Sequence, residues 1–198
     1  MNVPVETARE TTTSPSERPG SESDWPSFVD AYGRVVTAWF RQTGLPATDV
    51  QRIIRTLFVY FHKEFVAVEK EPDLRFRAWL QYAGHTSWCR AVEILVEEHG
   101  EDSNSPMIPL LLSVQAHDSF LHMLDAECSR WRRRELLIRV QALVGETDWE
   151  CFYATVLEGR PIDDVAEANG LNQFGVRAAA QRVQQLLDDN YRQLEERF

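Results

Sequence analysis

Residues Thr147 to Phe198 read TDWECFYATVLEGRPIDDVAEANGLNQFGVRAAAQRVQQLLDDNYRQLEERF, and this stretch decides the fold. Thr147-Asp148-Trp149-Glu150 has the form of a capping box, in which the threonine and glutamate side chains each satisfy a free backbone N–H at a helix start. Trp149, Phe152, Val156 and Leu157 then share one helical face, and Gly159 supplies a left-handed stop. Pro161, well suited to a first turn because its missing N–H costs nothing there, opens a short helix that turns Ile162, Val165 and Ala166 inward and closes at Gly170. Asn172 can cap a third helix. In it Val176, Ala180, Val183, Leu187, Tyr191 and Leu194 form an apolar seam and leave Phe174, Arg177, Ala178, Gln181 and Gln185 outside. A short helix, a glycine turn and a long helix with a polar free face make a helix-turn-helix, the geometry that enters a DNA major groove. Helix pairs meeting at a glycine also occur in all-helical proteins that never touch nucleic acid.

Upstream, the same periodicity continues. Residues 1–23 are rich in Thr, Ser, Glu and Pro and read as a disordered tail. A helix from about Trp25 to Thr43 turns Phe28, Tyr32, Val35, Val36, Trp39 and Phe40 inward, with Gly44 as its cap. A second helix starts at Pro46 and buries Val50, Ile53, Ile54, Leu57, Phe58 and Phe61. Val66 to Leu74 reads as a loop and Asp73 as the cap of a third helix through Val96. The stretch 98–115, polar and then proline-bearing at Pro106 and Pro109, reads as a flexible linker. The expected fold class is therefore all-α, with a first domain over 24–97 and a second over 116–198. The second holds helices at about 117–144, 148–158, 162–169 and 173–194.

Composition narrows the function. The chain has 198 residues, is 43% hydrophobic and carries a formal net charge of −10. No apolar run approaches the length that spans a bilayer and no signal-peptide order is present, so the expected location is the cytoplasm. Cys89, Cys128 and Cys151, together with the five histidines, show neither disulfide nor metal-ligand spacing, and no cofactor is implied. A phosphate-cradling glycine loop, a His-Glu-x-x-His and a nucleophile motif are all lacking, so the reading is not an enzyme with a small-molecule substrate. Asp163-Asp164 suits first-turn acids favouring the helix dipole. Arg130, Arg132, Arg133, Arg134 and Arg139 read as a solvated helix face, with a nucleic-acid or polymerase contact as the alternative.

Residues 149–187 carry Trp-x-x-Phe, a Leu-Glu-Gly turn, a Val-Ala helix, a Gly-Leu turn and Val-x-x-x-x-x-Arg-Val; residues 28–90 begin FVDAYGRVVTAWFRQTGL and end RFRAWLQYAGHTSWCR. In that order the two blocks resemble domains four and two of group IV (extracytoplasmic-function, ECF) sigma factors of bacterial RNA polymerase, over roughly two thirds of the chain. The resemblance implies that core polymerase and promoter DNA are partners, with an anti-sigma or other regulatory protein as a further one. It places core binding at Arg52, Ile53, Arg55, Thr56, Leu57 and Phe58, where the family's acidic and amide positions have become arginine or threonine. Either this protein docks on a differently charged clamp, or it has left the usual partner. Minus-ten DNA falls to the third helix and the loop before it. There Arg77, Gln81, His85 and Trp88 are expected as an exposed stripe opposite Phe76, Leu80, Ala83 and Ser87, with Lys70, Arg75 and Tyr82 beside it; Trp88 packed against the linker or the second domain is the alternative. A flat indole, a cation and hydrogen-bonding side chains suit unstacked bases. Minus-thirty-five DNA falls to Asn172, Gln173, Phe174, Arg177, Gln181 and Arg182. Net acidity opposes free DNA binding, and a subunit docked on a basic polymerase channel evades that objection. A sigma-like adaptor that binds a regulatory or effector protein and no longer reads promoters is the alternative.

Overall fold

The computed structural model describes residues 24–67, 75–99 and 105–197, with side chains for all of these except 99 and 193–197. The expected tail over 1–23 lies outside the described residues. Among the described residues every regular element is a helix: α1 (Trp25–Gln42), α2 (Ala47–Ala67), α3 (Phe76–His99), α4 (Met107–Leu111), α5 (Val114–Leu143), α6 (Glu146–Phe152), α7 (Ile162–Ala168) and α8 (Gln173–Arg197). A π-helical turn, Tyr153–Leu157, extends α6. Two compact units divide the chain, one through Leu124 and one from Asp125, so α5 contributes residues to each.

The first unit is built on aromatic residues. Phe28 and Tyr32 of α1 stack 4.8 Å apart, and Trp79 of α3 lies edge-on 5.6 Å from both Phe28 and Phe65 of α2. Helix α3 departs from the single-faced helix expected from sequence. Trp79, Leu80, Ala83, Ser87, Trp88, Ala91 and Leu95 are all buried, a band covering about half the circumference at 100° per residue. The cause is its set of neighbours, since α1, α2, α4 and α5 all pack on it. At Gly84 the α5 side chains come close, since a Cβ there would stand 2.7 Å from Leu124 Cδ1 and 3.0 Å from Leu121 Cδ2.

Of the stretch read as a linker over 98–115, residues 98–99 end α3, and from Ser105 onward it packs: Met107 and Leu111, one turn apart on α4, are buried. Pro109 is compatible with this short helix because it occupies the first turn, where no N–H is needed. The change of compact unit comes at Leu124.

In the second unit α8 is a shared wall. Val183 and Leu187 meet Leu136, Val140 and Phe152 in one cluster, while Val176 and Ala179 meet Cys151, Ala154, Val165 and Ala166 in another. Two local expectations are corrected. The capping box does not form: α6 starts at Glu146 after an extended Gly145, with no side-chain cap. Within the π turn, closed by Glu158 N–H to Tyr153 O at 3.0 Å, the helical register shifts, so Val156 and Leu157 are 52% and 48% exposed and Ala154 packs inward instead.

Candidate nucleic-acid and protein-docking surfaces

The turn between α7 and α8 is held by backbone geometry. Gly170 takes φ +63°, Leu171 N–H donates to Ala166 O at 2.9 Å and Gly170 N–H to Glu167 O at 3.3 Å, the double bond pattern of a left-handed helix stop. Asn172 caps α8 as expected, its Oδ1 accepting from Gly175 N–H at 2.8 Å. Gln173 Nε2 bonds Asp163 Oδ1 and so ties the two helices at the same corner.

Beyond this corner α8 presents a free face. Phe174 is 81% exposed, and Arg177, Ala178, Gln181 and Gln185 are exposed on the same side. Arg177 has no ion-pair partner among the described residues, and no acid joins the face before Asp188. Arg182 is different. Its Nε donates to Asp148 Oδ2 at 2.9 Å and its Nη2 to Oδ1 at 2.5 Å, a bidentate pair that locks α8 to α6. The hydrogen bond from Arg182 holds the Asp148 carboxyl below the usual carboxylate range, and the same bond raises the Arg182 guanidinium. Arg182 is therefore engaged in an intramolecular pair while its side chain stays exposed.

The stripe expected on α3 is dismantled by packing. Trp88 is 2% exposed, its indole N–H donating to Leu111 O at 3.2 Å, with Phe40 and Phe120 ring centroids 6.1 and 5.1 Å away. Gln81 is half-buried, its Nε2 donating to Leu121 O at 3.3 Å. His85 is exposed, yet its Nδ1 lies 3.2 Å from His117 Nε2 and its Nε2 3.8 Å from Cys89 Sγ. Arg75, Arg77 and Tyr82 remain exposed. Lys70 lies outside the described residues. Of the two readings of Trp88, packing against the stretch read as linker is the one found, in place of an open stacking platform. Among the described residues no group of three or more His, Cys, Asp or Glu is arranged to hold a metal ion.

A second surface lies between α1 and α2. Ile53 and Leu57 are fully buried and serve the core, whereas Ile54, Phe58 and Val59 line an open groove of about 1270 Å³ whose other wall is Trp25, Val29 and Gly33. Arg34, Arg41, Arg55 and Lys63 also line it, against Asp30 as its acid. The groove continues past Thr37, Arg41, Ile54 and Arg55 toward Leu45. Arg52 lies to one side, its Nη2 2.7 Å from Glu98 Oε2, and Thr56 bonds the Arg52 carbonyl.

No protein-family model, curated protein or solved structure matches the chain. Sequence reading found the α2 wall of the groove and missed the α1 wall. The available signal was Arg34 and Arg41, seven residues apart and hence on one side of α1, opposite its buried Phe28, Tyr32, Val36 and Phe40. No helix among the described residues is long and apolar enough to cross a membrane.

Proposed function

We propose that this chain is a sigma-type transcription initiation factor, whose α7–turn–α8 corner is a helix-turn-helix reading the minus-thirty-five duplex and whose α1–α2 surface docks on core RNA polymerase. The free face of α8 carries this reading. Its first turns offer an aromatic, an unpaired arginine, a small side chain and an amide with no acid among them. Those are the groups that meet thymine methyls, guanine edges and adenine edges in a major groove. The chain's charge of −10 fits a subunit that holds DNA only when a basic polymerase supplies phosphate neutralisation. On the minus-ten side the contacts among the described residues reduce to Arg75, Arg77 and Tyr82, which are exposed, His85 being exposed but turned to His117 and Cys89.

A second reading has its own support. Gln81, His85 and Trp88 are drawn into packing with α4 and α5, and this favours a sigma-like adaptor that keeps the two helical units but binds a regulatory protein instead of melted DNA. The two readings separate on Arg177→Ala in holoenzyme. The initiation reading expects transcription to fall by about 1–3 kcal/mol of lost discrimination, and only at promoters that retain the upstream element. Unchanged promoter choice, with a partner protein covering α8, would establish the adaptor.

A further inference from the structure

On a chain with a net charge of −10, the α1–α2 groove is lined by Arg34, Arg41, Arg55 and Lys63 against Asp30. That acid is itself bonded to Arg34, so the groove is locally cationic on an acidic protein. Its floor is apolar. Phe58, Ile54 and Val29 are left open, and Gly33 leaves a notch, since a Cβ there would come no nearer than 3.8 Å to Phe58 or Val29. The wall on α1 runs from Trp25 to Arg41, about 24 Å at roughly 1.5 Å per residue. We infer that this groove binds an acidic amphipathic helix of about sixteen residues, laid along α1 and α2 with its apolar face on Phe58 and Ile54 and its carboxylates on Arg41, Arg55 and Lys63. An apolar floor alone would accept any amphipathic helix. The cations supply the selection, because a basic helix would face like charge over its whole length.

The inference specifies the partner chemistry of the same α1–α2 surface that the initiation reading docks on core polymerase, and because its test uses neither polymerase nor DNA the two fail separately. The probe is a fluorescent eighteen-residue helix of leucine and glutamate with leucine at three- and four-residue spacing, beside an isomer with lysine for glutamate. Anisotropy with the full chain should show the glutamate peptide binding, weakening as salt rises, and the lysine peptide not binding. Arg41→Glu with Arg55→Glu should cut affinity for the glutamate peptide at least tenfold and shift preference to the lysine peptide, with circular dichroism and urea unfolding unchanged. Gly33→Leu, which fills the notch without altering charge, should weaken both. Equal binding of the two peptides, or glutamate-peptide binding indifferent to these variants, would overturn the inference. So would binding that appears only after residues 1–23 are removed, which would make the chain's own tail the occupant.

Discussion

Replacing Trp88 with alanine separates a packed indole from a DNA platform. A tryptophan side chain buries about 150–250 Å², and at about 25 cal/mol per Å² its removal from the core costs about 4–6 kcal/mol. A denatured chain that is already partly collapsed lowers this toward the 3–5 kcal/mol typical of large aromatic truncations. The buried Leu111 carbonyl, which accepts the indole N–H at 3.2 Å, loses its partner and adds about 1 kcal/mol. The expected loss is therefore about 4–6 kcal/mol, a large share of what a small unit possesses. Trp88→Phe keeps an aromatic ring among Phe40, Phe120 and His117 while giving up the hydrogen bond, and should cost about 1–2 kcal/mol. Urea unfolding followed by circular dichroism and tryptophan fluorescence measures both. A chain of two units need not unfold in one step, so the transition belonging to residues 24–124 is the one to follow. A loss under about 1 kcal/mol for Trp88→Ala, together with a defect confined to promoter opening, would refute the packing argument and return the indole to DNA.

Asp148 supplies a pH test: its folded carboxyl titrates below the ordinary carboxylate value because Arg182 bonds it, so its stabilising contribution is complete above that ordinary value and disappears as pH falls through the lowered one. Asp148→Asn should flatten this acid limb in thermal melts of the second unit, and an unchanged limb would contradict the pairing. Gly170→Ala forces a side chain into φ +63° and should cost about 1–2 kcal/mol, whereas Gly145→Ala, at φ −68° with open space around its Cβ, should be nearly neutral; equal effects in chemical unfolding would contradict the turn geometry. Within the initiation reading, Phe174 should meet a thymine methyl. Deoxyuridine in place of that thymine should then weaken holoenzyme binding to the upstream duplex, and Phe174→Ala should abolish the difference.

The elements legible in the sequence are those that bury one stripe. Helix α1 repeats aromatic residues at helical spacing on a single side, and α8 alternates threes and fours from Val176 to Leu187, so periodicity located both helices and the exposed Phe174, Arg177 and Gln181. Helix α3 defeated the same argument because neighbours on several sides widen its buried band until Trp88 joins it, and nothing in the pattern from Phe76 to Leu95 counts neighbours. Two prolines made α4 look like linker, although Pro109 sits where a helix tolerates it and Met107 and Leu111 anchor the turn. The π turn has no compositional mark, so the outward rotation of Val156 and Leu157 was hidden. Arg182 lay next to an apparent recognition surface in sequence, and only folding brings Asp148, thirty-four residues earlier, within bonding distance.

Reconstitution with core RNA polymerase from the encoding organism tests the central claim most directly. The purified chain should co-elute with core on size exclusion and direct transcripts from a defined start on its own promoters, with transcription lost when the upstream element is scrambled. No complex with core under any salt condition, and no promoter-dependent transcript, would contradict the initiation reading.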